Sequence, residues 1–272
     1  MKVELANGQV IAYDRTGVSG IPIVLMHGLS GYRESYASTI EHLHEQIESG
    51  SFQVFAVDLR GHGESSWATL DTYDAVSYSQ DIALFIETVV GRPAVVVGHS
   101  LGGVVSATLA QHRPDLVCAT LLEDPPLNEG DPVRRNASPV AAIFPKVVAG
   151  IRALQARNAP SSDYALFIPP GEIDFERRCQ KLQHWDPSTM EAAADGIVWK
   201  DFNPVGQVVC PVTIVRADPA LDAVCWPEDA TAFVRSNPHA VVIEIPGAGH
   251  LVRATQPDAY FAALDAFLAN VS

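Results

Sequence analysis

The sequence predicts an α/β fold: a mostly parallel central sheet, helices on both of its faces, and a helical cap inserted between two late strands. Three observations predict it. Continuous apolar, β-branched runs alternate with helix-like text over residues 1–126 and again over 204–272, which is how strands read when helices bury both faces of the sheet. One of these runs, Pro93-Ala94-Val95-Val96-Val97, leads into Gly98-His99-Ser100-Leu101-Gly102-Gly103 and then into small and apolar residues, the text of a strand, a sharp turn and a helix. Residues 127–203 drop the alternation and are helix-like, with prolines at 139, 145, 160, 169, 170 and 187. The expected organisation is therefore a core of 1–126 and 204–272 carrying a cap of 127–203.

Along the chain, Val10 to Asp14 reads as an early strand and Ile21 to Met26 as a buried one ending at His27-Gly28. Helical text runs from Tyr36 to about Glu48. Phe52 to Val57 is the next strand, closed by Asp58-Leu59-Arg60-Gly61-His62-Gly63-Glu64-Ser65. Ser77 to Val90 is amphipathic, with Ile82, Phe85, Ile86 and Val89 on one face. After the Ser100 turn, Val117 to Leu122 is a strand ending in Glu123-Asp124-Pro125-Pro126. Within the cap, Val140 to Asn158, Phe175 to Trp185 and Ser188 to Ala194 are helix-like. Val212 to Val215 and Ala240 to Ile245 resume the strands, and Ala259 to Leu268 closes the chain as a helix.

Composition bounds the function. The 272 residues are 47 % hydrophobic and carry 32 acidic against 18 basic side chains, a net charge of −14. Such a surface disfavours nucleic acid and anionic membranes as partners. No apolar run approaches the roughly 20 residues that span a bilayer. Met1 to Leu5 carries no signal-peptide core, and Cys118, Cys179, Cys210 and Cys225 form no Cys-x-x-Cys pair. Free thiols in a reducing, cytoplasmic setting are the expectation, with a homo-oligomer left open. No histidine or cysteine spacing suggests a metal site, and no cofactor is implied.

Ser100 is the candidate nucleophile. A turn between strand and helix lifts its hydroxyl to the strand's C-terminal edge, and Gly98 and Gly102 let neighbouring chain pass close by. A serine hydroxyl stays protonated at neutral pH and needs a base. His250, in the Gly-rich loop after the last strand, is the candidate, since an imidazole titrates near neutrality. An acid must then hold the imidazole. Asp124 ends the strand after the serine's helix, whereas Asp218 and then Asp222 follow the next core strand; all three stay open.

The motifs His27-Gly28-Leu29, Asp58 to Ser65 and Gly98 to Gly103, completed by Gly249-His250, resemble in kind and order those of the α/β-hydrolase fold. The resemblance covers nearly all of the chain outside the cap. Phe52 to Trp67 and Pro93 to Pro126 further resemble lactone hydrolases that open the macrolide zearalenone. The resemblance implies an oxyanion hole from the backbone N–H groups of Leu29 and Leu101, and the zearalenone-type proteins place their acid at the Asp124 position. It also implies an ester- or lactone-cleaving serine hydrolase working through an acyl-enzyme. A C–C bond hydrolase, amidase or thioesterase on the same residues, or a non-catalytic ligand-binding protein of this fold, are the rival readings.

The remaining expectations concern the pocket. Gly28, His99, Trp185 and Trp199 are candidate substrate contacts. Phe144, Tyr164, Phe167, Ile168, Phe175 and Met190 are candidate apolar lining, and His184 a candidate cap contribution. The substrate is expected to be a small or medium apolar ester or lactone. The Asp58 to Ser65 segment is expected to be structural, its charges satisfying loop backbone.

Overall fold

The computed structural model describes residues 1–128, 130–137, 141–168 and 175–271. Pro139, Val140, Pro169 and Pro170 lie outside the described residues. Eight strands form one sheet: β1 (Lys2–Glu4), β2 (Val10–Thr16), β3 (Ile21–Met26), β4 (Phe52–Val57), β5 (Ala94–His99), β6 (Val117–Glu123), β7 (Val212–Arg216) and β8 (Val241–Glu244). Their order is β1-β2-β4-β3-β5-β6-β7-β8. β1 and β2 run antiparallel at one edge; from β4 to β8 every pairing is parallel.

Adjacent residues in the central strands serve opposite cores. Val24 and Met26 of β3, Val96 of β5, and Phe55 and Val57 of β4 join one apolar cluster. Ile23, Leu25, Val95, Val97, Val54 and Ala56 join the other. This is the period-two geometry of a strand, and burying both sets requires helices on both faces. The first cluster is covered by α3 (Ala75–Phe85) and α4 (Leu101–His112), through Tyr78, Ile82, Val105 and Leu109. The second is covered by α1 (Ala37–His42), α2 (His44–Glu48) and the C-terminal helix Pro257–Leu268, through Leu43, Ile47, Tyr260, Leu264 and Phe267.

Between β6 and β7 the described α-helices are α5 (Pro132–Ala137), α6 (Phe144–Ala156), α7 (Phe175–His184) and α8 (Ser188–Ala194), with 3-10 turns at Ala141–Ile143, Ser161–Phe167 and Ile197–Trp199, and no strand occurs there among the described residues. They have a cluster of their own, in which Val148, Ile151, Leu154, Tyr164, Leu182 and Trp185 are buried together.

Several elements depart from expectation. The helix expected over Tyr36–Glu48 is two short helices meeting at buried Leu43, which adopts φ −84°, ψ 8°. A further helix, α9 (Pro227–Ser236), is not among the expected elements, although Pro227 at its start, Glu228 and Asp229 in its first turn and Arg235 in its last turn are helix start and stop signals. The short α10 (Val252–Thr255) and three-residue β1 fall below the length at which periodicity can be read. The closing helix, α11 (Pro257–Leu268), begins two residues before its expected start, with proline in the first turn.

Strand order places the crevice. From β3 the chain goes to β4 on one side and from β5 to β6 on the other. The carboxyl ends of β3 and β5 thus flank the topological switch point, where open α/β sheets form their ligand crevice.

Candidate active site

Ser100 follows β5 and adopts φ 51°, ψ −115°, a left-handed conformation that few non-glycine residues take up. Close packing enforces it. A Cβ on Gly98 would collide with the Gly102 carbonyl, and one on Gly102 with the Met26 carbonyl, so both positions need glycine. The Ser100 N–H donates to the Glu123 carbonyl at 2.9 Å, which ties the turn to the end of β6.

Asp124 stands immediately after β6, fully buried and also left-handed, at φ 41°. Its Oδ1 accepts the backbone N–H groups of Ala217 at 3.2 Å and Cys225 at 3.3 Å, and its Oδ2 accepts that of Val224 at 2.9 Å. Three fixed dipoles aimed at one carboxyl group compensate the burial of its charge. Oδ2 also lies 2.7 Å from His250 Nδ1. A carboxylate oxygen can only accept, so the imidazole carries its proton on Nδ1 and leaves Nε2 as the basic nitrogen.

The other two acids are engaged elsewhere. Asp218 accepts from the backbone of Ala220 and Gly247, each at 2.8 Å, and Asp222 accepts from the backbone N–H of His250 at 2.7 Å. Asp222 thus holds the loop of the imidazole, and Asp124 holds its ring. Glu123 has its own task. Its carboxylate takes the Arg253 backbone N–H at 2.9 Å and the guanidinium at 2.5 Å, while the guanidinium lies 4.3 Å from the Tyr36 ring centroid. This buried pair pins the chain three residues beyond His250, and neither charge tolerates loss of its partner.

Ser100, His250, Asp222, Leu29 and Leu101 share a cavity of about 390 Å³. Its walls are mostly apolar, and they include Phe144, Phe167, Trp185, Met190 and Trp199 from the helical segment. His99 also lines it; the ring Nε2–H donates to the His250 carbonyl at 3.1 Å, and burial pushes its pKa well down, so it is neutral. Among the described residues, no hydrogen bond takes up the Leu29 or Leu101 N–H, or the indole N–H of buried Trp185. Trp199 is fastened by its indole N–H to the Pro126 carbonyl at 2.7 Å.

Some expected pocket residues lie elsewhere. Gly28 does not line the cavity but packs beneath it, its Cα facing the His99 ring and the Ser100 Cβ, so that a side chain there would clash with both. Tyr164 and His184 line a separate, more polar groove of about 560 Å³ together with Glu64 and Trp67. Ile168 is buried among the helices, and Phe175 is about half exposed. Two lining residues, Arg135 and Arg178, had no distinguishing signal in the sequence, since a basic residue in polar helix text looks like any solvated one.

The Asp58–Ser65 turn holds structure together. Arg33 pairs with fully buried Asp58, and Arg60 grips Asp81 through two contacts of 2.6 Å. His27 and His62 sit behind the cavity, with ring centroids 4.8 Å apart, and burial lowers the pKa of each to about 3. Both are neutral, and each accepts a backbone N–H on Nε2: His27 from Leu59 at 3.1 Å, His62 from Ser30 at 3.2 Å. The four cysteines are free, with Cys118 partly exposed and the others buried. Among the described residues no cluster of three or more metal-ligating side chains occurs, and no helix is long and apolar enough to cross a membrane.

Residues 23–263 match the sequence model described as the alpha/beta hydrolase family. Lipase LipV of Mycobacterium tuberculosis is 38 % identical over 182 residues, which span 66 % of this chain but only 59 % of the lipase. The 2-(acetamidomethylene)succinate hydrolase of Mesorhizobium japonicum is 28 % identical over 267 residues, 96 % of this chain and 92 % of that protein. Among solved structures, the N-formylmaleamic acid deformylase of Pseudomonas putida S16 superposes with a TM-score of 0.76 at 21 % identity, over 97 % of this chain and 99 % of that one. At that identity the likeness speaks for the fold.

Proposed function

The chain belongs to the alpha/beta hydrolase family, and from that premise we propose that it is a serine hydrolase of carboxylic esters or lactones. The observation that carries the reading is the 2.7 Å pairing of His250 Nδ1 with Asp124 Oδ2 beside a cavity that also contains Ser100. Ser100 Oγ attacks the carbonyl carbon while His250 Nε2 takes its proton. Asp124 holds the imidazole in the required tautomer and stabilises its cation. The developing oxyanion is received by the Leu29 and Leu101 N–H groups, each such donor contributing about 3 kcal/mol to the transition state. The imidazolium then protonates the leaving alkoxide, and water, activated by the same Nε2, releases the acid product from Ser100.

The helices of 127–203 act as a cap that fits the acyl compound, with Trp185, Trp199 and His99 among the contacts. The apolar walls favour a small or medium apolar ester or lactone. The relative that matches nearly the whole chain is named for a succinate derivative, and hydrolysis of such a compound by the same residues is the second reading. The test is a panel of aryl esters, alkyl esters and lactones with wild type and Ser100→Ala. Hydrolysis should fall to near background in the variant; a rate close to wild type would reject Ser100 as the nucleophile.

A further inference from the structure

One helix of the inserted segment reaches the loop that carries Leu29. Arg178 and Lys181 are three residues apart on α7, hence on one face. The Arg178 guanidinium donates to both oxygens of Ser30: Nη1 to its carbonyl, and Nη2 to its hydroxyl at 2.9 Å. Lys181 Nζ meets Glu34 Oε1 at 2.7 Å. Both cations lie over the Tyr32 ring, 5.6 and 5.5 Å from its centroid. The segment Ser30–Glu34 is therefore held by α7 at three residues.

Ser30 is the position that benefits most. It directly follows Leu29 and sits at φ 58°, where a non-glycine backbone persists only if its surroundings hold it. Those surroundings are complete: its N–H is taken by His62 Nε2 at 3.2 Å, and its carbonyl and hydroxyl are taken by Arg178. Gly28, two residues before it, packs against Ser100. The Leu29 N–H belongs to the Gly28–Leu29 peptide, whose carbonyl accepts His27 Nδ1–H at 2.8 Å and the Gly31 N–H at 2.9 Å; the hold of Arg178 and His62 on Ser30 fixes the chain between Leu29 and Gly31 that closes this turn. The positive charge of Arg178 also helps keep His27 and His62 deprotonated, as the Ser30 contact requires of His62.

We propose that Arg178 is a positioning residue for oxyanion stabilisation: from α7 it clamps Ser30, and so sets the direction of the Leu29 N–H. This rests on the serine-hydrolase reading above. The clamp makes the inserted helices part of the catalytic geometry as well as of the pocket wall.

The experiment compares wild type, Arg178→Met, Arg178→Lys, Ser30→Gly and Ser100→Ala on 4-nitrophenyl acetate, which carries no charge near the acyl group, and on an aryl ester with a carboxylate in its acyl chain. Arg178→Met should lower kcat on both esters by about tenfold to a hundredfold, with KM within about twofold, as expected when a transition-state contact is misplaced. A trifluoromethyl ketone, which forms a tetrahedral adduct with the serine, should lose affinity by a similar factor. Arg178→Lys should recover part of the loss, since one ammonium replaces one arm of the fork. Ser30→Gly is free of backbone strain at a left-handed φ and folds even if Arg178→Met does not; it should lower kcat several-fold with KM unchanged. Unchanged kcat in Ser30→Gly and in any folded Arg178 variant would overturn the proposal. So would a loss confined to KM, or to the carboxylate ester, which would make Arg178 a reader of substrate charge. If Ser100→Ala remains active, the hydrolase reading itself falls; if it is inactive while the Arg178 and Ser30 variants behave as wild type, only the clamp falls.

Discussion

The carboxyl edge of the sheet and the helices inserted above it are built by different rules. At the edge, main-chain groups fix the side chains proposed to act. Asp124 accepts three backbone N–H groups, His250 is held through its own N–H by Asp222, and Ser100 is locked by the contacts of two glycines. Among the helices, the lining residues are fixed by apolar packing in a separate cluster, with polar ties such as Trp199 to Pro126 at its margin. The difference separates two tasks. Backbone dipoles set positions to tenths of an ångström, as proton transfer needs, whereas packed side chains set a shape that can change by substitution without disturbing the edge.

The largest effect that tests this contrast lies at the edge. Asp124→Asn leaves the shape but reverses the tautomer demanded of His250, and ester hydrolysis should fall about 10⁴-fold in kcat. Asp218→Asn and Asp222→Asn, which alter only loop contacts, should stay within about tenfold of wild type. Equal losses in all three would erase the distinction between holding the ring and holding its loop.

Acid should loosen the edge before the helices. His27 and His62 are fully buried, with pKa values of about 3 against 6.5 in the unfolded chain. Between those values the unfolded state binds protons that the folded state excludes. Their contribution is therefore complete above about pH 6.5 and is lost as pH falls towards 3. At pH 5 each forfeits about 2 kcal/mol of stability. The histidine on the described inserted helices, His184, is exposed. Urea unfolding at pH 7.5 and pH 5, followed by exchange of core and α6 amides, should show the loss concentrated around the sheet's carboxyl edge. No loss on acidification would contradict the neutral, buried pair.

A smaller effect is expected from the pocket wall. Phe167→Ala enlarges the cavity and should change the preferred acyl length and raise KM by about tenfold for short esters, with the reactivity of Ser100 towards a small phosphonate unchanged. Loss of that reactivity would join the two regions more tightly than the Arg178 contact implies.

The same contrast explains what the sequence makes legible. Strands β3 and β4 are readable to the residue because both faces are buried, so the apolar run begins and ends with the strand. The Ser100 turn is readable because its close backbone contacts require glycines at fixed offsets. The choice among Asp124, Asp218 and Asp222 is not, because all three end or follow strands and differ only in which group each faces across the sheet. Helix α9 carries its start and stop signals at Pro227 to Asp229 and Arg235 but is not among the expected elements, and Arg178 is missed because its partners lie almost 150 positions away. Gly28 and His184 are misplaced for a related reason: a residue near a motif or on a helix between β6 and β7 carries no mark of which side of a wall it occupies.

The central claim is that Ser100 is a nucleophile activated by the Asp124–His250 pair. It is tested most directly by treating the protein with a fluorophosphonate and mapping the adduct by mass spectrometry, in wild type and in His250→Ala. One adduct per chain on Ser100, formed rapidly in wild type and lost in the variant, is the predicted result; a folded wild type that stays unlabelled, or labels equally fast without the imidazole, would contradict it.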